Sequence, residues 1–442
     1  MNQLKPKINL HSATFLVVSV IIGSGVFKKI APMAEALGSP LWVITCWIFA
    51  GLISLAGALS TAELVSLFPN SGGEYHYFQK IYGRFFAFLY GWSSFAVIKT
   101  AAISALAYVF AQSFNSLIPL PDWGNDLSIK LVASGLIGIL SYLNYRGVGS
   151  AEKFSRFLTY AMLLGIGFLI IWGLFSKEGD IRHFESKKTL EGWEFLKAFT
   201  LASLGAFWGY EGWNNIGFIG EEVENPRKNL PISLALGTII VICSYVLLNL
   251  VFVYVLPIDF FIQLNQQPNQ IAAVEVAKVQ GGDLGMLLVA VLILTTTLNA
   301  TNSTILMSAR IIYAMSRDGL FFKFTNSVHV KHNTPDKALG LQAIWAIALI
   351  FTGSFDQLTD MLVFASFLFY GSSALGVLIL RKQAPNLPRT YRVWGYPFVP
   401  ILFVFFCSAL FIMTIFNQPK EALIGLGLII SGLPVFYFLK DK

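Results

Sequence analysis

Apolar residues run along this chain in twelve stretches of about 20 residues or more, separated by mostly short polar connections. The stretches lie at about 10–34, 41–66, 84–112, 128–146, 155–176, 195–220, 231–256, 284–314, 338–354, 358–381, 397–416 and 421–439. About 20 apolar residues of helix cross the hydrocarbon of a bilayer. Each stretch therefore predicts one membrane-spanning helix, with ends placed to within several residues. The longest connections run from Ser176 to Glu194, from Asp259 to Asp283 and from Arg317 to Lys337. None reads as a separate soluble domain.

Two stretches carry residues that interrupt a helix. In the first, Ile21 to Phe27 reads IIGSGVF, two glycines flanking a serine. A glycine inside a helix costs about 1 kcal/mol relative to alanine. An opened helix exposes backbone amides and carbonyls, tolerated in a membrane only where they are buried in protein or line a cavity. The pattern predicts a broken helix whose free backbone meets a ligand. The alternative is a tight helix–helix contact, which small residues also favour. Five stretches later, Gly205 to Asn215 reads GAFWGYEGWNN, with three glycines and a glutamate in an apolar run. Interruptions at corresponding places of two halves point to an inverted repeat with a site near mid-membrane. An odd number of spans per half turns the halves over, so the two breaks face each other. The expected halves are 8–180 and 190–385, and residues 396–442 supply the last two helices.

Composition agrees with the pattern. Of 442 residues, 55% are hydrophobic and 12% charged, against about 25% charged in a soluble domain. The net charge of +7 forms no basic stripe with aromatic platforms, which argues against nucleic acid as a partner. It reads instead as topology. With the N-terminus inside, cytoplasmic ends and loops hold 20 Lys/Arg and the outer side holds 9. That asymmetry places both termini in the cytoplasm of a multi-pass protein of the plasma membrane. Cys46, Cys243 and Cys407 fall in apolar stretches and suggest neither a disulfide framework nor a metal site, and no disulfide to an accessory subunit is indicated. His11, His76, His183, His329 and His332 lack ligand spacing, and no phosphate-cradling motif is present. No enzyme chemistry and no cofactor are therefore expected. Asn302-Ser303-Thr304 matches a glycosylation pattern but lies inside a span, where its polar side chains are expected to face the first break.

Five stretches, in order, resemble the amino acid–polyamine–organocation superfamily of transporters, most closely its L-type amino acid transporter branch. They are IIGSGVF, then ALSTAELVSLFPNSGGEYHYFQKIYG, WNNIGFIGEEVENPRKNLPIS, SARIIYAMSRDGLF and YRVWGYPFVP. The resemblance implies an all-α membrane protein of 12 transmembrane helices. Helices 1 to 10 form a five-plus-five inverted repeat, broken in helices 1 and 6, and two helices are peripheral. It also implies amino acid transport by alternating access.

A free amino acid presents a carboxylate and an ammonium. Amides at the start of the outer half of span 1, near Ser24, Gly25 and Val26, suit the carboxylate. Carbonyls near Ile21 and Ile22, and near Phe207 and Trp208, suit the ammonium, while bulk at Gly23 or Gly25 would block close approach of the carboxylate. By the resemblance, Trp208 stands over the substrate as a gate and limits its size. Glu211 has three readings: it holds a proton, pairs with a cationic substrate, or caps the outer half-helix. Asn214 is expected to tie the broken backbone together. Glu63 is expected to bond a neighbouring helix, and Lys99 to snorkel or tether a loop. Lys28 and Lys29 either face an outer vestibule or snorkel. Many family members resemble one another in a lysine along span 5, which falls here on Met162. A cation would then rely on hydroxyls of span 8, among them Thr301, Ser303 and Thr304, beside Asn302. Sodium wants about five or six oxygens and methionine supplies none. The expected function is a sodium-independent carrier of small or medium neutral amino acids, by exchange or by proton symport. Alternatives are a carrier of polyamines or cationic amino acids, and an amino-acid-binding membrane sensor that does not transport.

Overall fold

The computed structural model describes residues 7–185, 190–267, 270–353 and 355–440. Lys187 and Lys188, counted above among the charges of the outer side, lie outside them. The described residues are helical apart from short connections and one isolated bridge.

The described residues form twelve spans. Span 1 comprises Leu10–Ile21, then Gly25–Lys28 continued by Ile30–Leu37. Spans 2 to 5 are Pro40–Leu67, Arg84–Leu117, Leu127–Tyr145 and Val148–Leu174. Span 6 comprises Gly192–Tyr210, then a 3-10 segment Trp213–Glu222. Span 7 is Pro226–Val255, and span 8 is the long part of Ala272–Arg317 after a kink at Gly281 and Gly282. Spans 9 to 11 are Asp336–Ile350, Phe355–Gln383 and Phe398–Asn417. Span 12 is Pro419–Ile430 with Gly432–Lys440. Ten of these are long and apolar enough to cross a membrane. The other two are span 6, whose first segment has 19 residues, and span 9, with 15.

The expected loop from Asp259 to Asp283 differs from the structure. It contains the helix Ile258–Asn265, and from Ala272 onward it is already helix. The Gly281-Gly282 pair bends this segment rather than ending it, since Gly282 takes a positive φ of 57°.

Burial orders the spans. In spans 1 and 3, 83% and 89% of the apolar window is inside the protein, against 28% for spans 11 and 12. The first two therefore form the centre, and the last two lie at the periphery against lipid. Between spans 2 and 3, the short helix Glu74–Tyr82 inserts Glu74, Tyr75, Tyr77 and Phe78 into the core. Span 3 contains a π turn at Ser94–Ile98. The extra residue in such a turn rotates the rest of the helix about its axis. Lys99 comes next and is turned inward, 2% exposed.

Candidate functional site

The two interrupted helices meet at the middle of the molecule. In span 1, Ile22 leaves the helix in an extended conformation and a new helix begins at Gly25. In span 6, Glu211 is extended and Gly212 has a φ of 108°, a conformation glycine reaches without strain. A Cβ on Gly212 would also stand 2.3 Å from Val20 Cγ1, and one on Gly25 2.5 Å from Gly209 Cα. The helices thus touch backbone to backbone: the glycine motif both opens span 1 and packs it. Tyr245 of span 7 ties the breaks together, its Oη lying 2.9 Å from the carbonyls of both Ile21 and Gly209.

Between the breaks lies a small cavity. Span 1 lines it with Val20, Ile21, Gly23, Ser24 and Gly25, and span 6 with Trp208, Glu211, Gly212 and Asn215. Lys99, Ala102 and Leu106 of span 3 and Thr304 of span 8 complete it. Two lining atoms, Ser24 Oγ and Asn215 Oδ1, are buried without a hydrogen-bond partner among the described residues. Buried polar atoms are nearly always paired. Two such atoms at one cavity are candidate partners for a ligand's polar groups.

Lys99 Nζ lies 2.9 Å from Glu211 Oε1. Lys99 therefore neither snorkels nor tethers a loop: the π turn aims it at the break. Glu211 ends the first segment of span 6, and its carboxyl goes to Lys99 and to the Tyr370 hydroxyl rather than to the amides that open the second half of span 1. Asn214 does not bridge the broken backbone either. Its side chain reaches Tyr370 Oη at 3.2 Å and Glu74 Oε2 at 2.6 Å.

The other expected residues divide. Ile22 and Val26 are buried beside the cavity without lining it. Phe207 turns to an adjoining apolar recess with Phe367 and Tyr370. The Ile21 carbonyl already accepts from Gly23 N and Tyr245 Oη. Asn302 bonds Asn144 at 2.8 Å, and Ser303 bonds Ser19 and Ser155, each at 2.8 Å. Both residues thus brace spans 1, 4, 5 and 8. Met162 is wholly buried. Lys28 Nζ reaches Gln112 at 3.4 Å, while Lys29 lines a chamber of about 740 Å³ with Glu35, Gly205, Asp360 and Gln418. Glu63 accepts from Arg381 and Arg389 and from the amide of Val393, as a contact to a neighbouring helix requires.

Three residues escaped the sequence reading. Asn215 stood inside the second interruption, and its amide type was the available signal. Tyr245 sits in an unremarkable apolar run and gave none. Glu74 stood in the family-like SGGEY stretch and is wholly buried, and burial pushes its carboxyl above the usual range.

Interrupted helices crossing at a small polar cavity, inside an all-helical membrane protein, define a carrier that holds its ligand mid-membrane. The pattern of the amino acid permease family matches residues 8–436, and the chain belongs to that family; its activity is amino acid transport. The chain is similar to the mouse (Mus musculus) b(0,+)-type amino acid transporter 1, 30% identical over 99% of this chain and 88% of the relative. The serine/threonine exchanger SteT of Bacillus subtilis (strain 168) is 29% identical over 100% and 98%. The mouse large neutral amino acids transporter small subunit 2 is 29% identical over 98% and 81%.

Proposed function

We propose that the chain is a sodium-independent carrier of small or medium neutral amino acids, working by exchange or proton symport. Its halves are 8–180 and 190–385, and it lies in the plasma membrane with both termini cytoplasmic. The observation that carries this reading is the pair of unpartnered atoms, Ser24 Oγ and Asn215 Oδ1, in a cavity whose one ion pair is internally neutral. A hydroxyl that can donate suits a carboxylate, and a carbonyl oxygen suits an ammonium. Trp208 and Leu106 line the cavity, and their bulk supports a small side chain on the substrate. The name of the Bacillus relative, a serine/threonine exchanger, supports small polar substrates.

Neutrality also weighs against the cationic alternative. A cationic substrate needs an unpaired carboxylate, and Glu211 already has Lys99 at 2.9 Å. Sodium independence is supported by the hydroxyls of span 8. Thr301 Oγ1 bonds the Thr297 carbonyl at 2.6 Å, and Ser303 is shared between Ser19 and Ser155. One relative is named a small subunit. Here Cys46, Cys243 and Cys407 all sit within spans 2, 7 and 11, which supports action without a disulfide-linked partner.

The test is uptake into liposomes holding only this protein. Labelled serine, threonine or alanine is expected to enter equally well with sodium replaced by choline, and neutral competitors are expected to outcompete lysine and putrescine. Strict sodium dependence would overturn the coupling. Binding with no uptake would select the sensor.

A further inference from the structure

Glu211 and Glu74 stand at the ends of one hydrogen-bonded chain. Glu211 Oε2 meets the Tyr370 hydroxyl, Tyr370 Oη lies 3.2 Å from Asn214 Oδ1, and Asn214 Nδ2 lies 2.6 Å from Glu74 Oε2. Glu74 also accepts from the hydroxyls of Tyr90 and Ser373. All of these groups are buried.

The hydrogens of this chain can be counted. Tyr370 owns one hydroxyl hydrogen and has two neighbours to satisfy. An amide stands in either of two orientations. With Asn214 nitrogen toward Glu74, the Asn214 oxygen takes the Tyr370 hydrogen, and the Glu211–Tyr370 contact needs a hydrogen from Glu211. With the amide turned over, its nitrogen donates to Tyr370, Tyr370 donates to Glu211, and the Asn214 oxygen needs a hydrogen from Glu74. Either way one carboxyl is protonated and the other ionised. With neither protonated, two acceptors face each other; with both, one hydrogen has no acceptor in the chain.

Charge gives the same count. Lys99 supplies one positive charge against two carboxylates. One bound proton makes the cluster neutral, as a buried site requires. The titratable groups facing Glu74 are Tyr77 on its own helix, Tyr90, Lys99, Tyr370 and, beyond Tyr370, Glu211. Lys99 sits on Glu211 and favours the second arrangement, with Glu211 ionised, Glu74 protonated and the Asn214 amide turned over so that its oxygen faces Glu74.

We propose that Glu74 is a proton-binding site of this carrier, sharing one exchangeable proton with Glu211 through Tyr370 and Asn214. It rests on the carrier reading and deepens it by adding a second seat for the proton, on the helix between spans 2 and 3 and away from the cavity. Glu211 exchanges with the cavity. Transfer from Glu74 to Glu211 is a relay: the Glu74 O–H hydrogen passes to the Asn214 oxygen, an Asn214 N–H hydrogen to the Tyr370 oxygen, and the Tyr370 O–H hydrogen to Glu211. Asn214, left as its imidic tautomer, returns to the amide as its O–H hydrogen moves back to nitrogen and the side chain turns over, so the net change is one O–H bond lost at Glu74 and one gained at Glu211.

Infrared spectroscopy of the purified protein reads the proton directly. A protonated-carboxyl stretch, shifted by deuterium oxide, is expected in the wild type and lost in Glu74→Gln. It is expected to return in Glu74→Asp, and to shift in Tyr370→Phe, which keeps the fold if Glu74→Gln does not. In liposomes, the proton movement accompanying amino acid uptake is expected to be lost in Glu74→Gln. A band unchanged in Glu74→Gln and in Tyr370→Phe would overturn the proposal, whatever the uptake. A wild type that moves no amino acid would overturn the carrier reading alone, since the band would still report the shared proton.

Discussion

Lys99 and Glu211 set the charge of the cavity, and each depends on the other. Removing one partner of a buried pair leaves an uncompensated charge and costs about 3–5 kcal/mol. At this site the stranded charge has another way to be met, because the pair lines the cavity. In Lys99→Met, Glu211 becomes a carboxylate that a substrate's second ammonium can approach. That variant is expected to move its preference toward lysine and ornithine by about tenfold, equivalent to about 1.4 kcal/mol, as read by competition against labelled serine. Lys99→Arg keeps the charge and is expected to keep the neutral preference. An unchanged profile in Lys99→Met would mean that Glu211 does not face the substrate.

At the scale of elements, the same glycines that open span 1 also pack it, and the two effects separate by position. A Cβ at Gly23 meets Leu106 Cδ2 at 2.7 Å, the end of a flexible side chain, whereas one at Gly25 meets Gly209 Cα at 2.5 Å, which is backbone. Gly23→Ala is therefore expected to fold normally and lose substrate affinity, because it intrudes on the cavity. Gly25→Ala is expected to separate the crossing helices and lower the unfolding temperature in detergent. Equal unfolding temperatures for the two variants would remove Gly25 from the crossing. These breaks were legible in sequence because glycine clusters in long apolar runs have few other uses, and length alone marked the spans. The partners were not legible. Lys99 and Glu211 are 112 residues apart, and Glu74 and Asn214 are 140 apart. Nothing local shows that a π turn swings Lys99 inward, or that the helix before span 3 dips into the core. The polar run of span 8 was legible only in part: Thr304 lines the cavity and Ser303 meets Ser19 of span 1, but Asn302 turns to Asn144 of span 4, because helix rotation is not fixed by apolar periodicity in a helix buried all round.

Among the described residues, a strap closes the end of the molecule that holds the N-terminus. At the closed end, the amides of Lys7 and Ile8 donate to the Glu222 carbonyl at 2.8 and 3.0 Å, and the Glu224 amide donates to the Ile8 carbonyl at 2.8 Å. Beneath this bridge Arg310 Nε lies 3.0 Å from Glu222 Oε1, both side chains buried. Toward the other end, a chamber beside Lys29, Glu35 and Asp360 lies against the second half of span 1 and the first segment of span 6. Alternating access requires the closed end to open, and opening must undo this strap and hydrate the ion pair. In Arg310→Met, Glu222 is left buried and unpaired in the closed form only, a penalty of about 3–5 kcal/mol. A bias of about 5.5 kcal/mol turns a 1:99 equilibrium into 99:1, so this penalty shifts most of the population toward the form open on that side. The readout is a cysteine placed in the cavity, Thr304→Cys, with Cys46, Cys243 and Cys407 replaced by alanine. An impermeant maleimide applied from the N-terminal side is expected to label it faster in Arg310→Met. Adding Glu222→Met removes the stranded charge, and replacing both members of a buried pair by apolar residues is often neutral. Slow labelling is then expected to return. Labelling that stays slow in Arg310→Met, or fast in the double variant, would show that the ion pair does not hold this end shut.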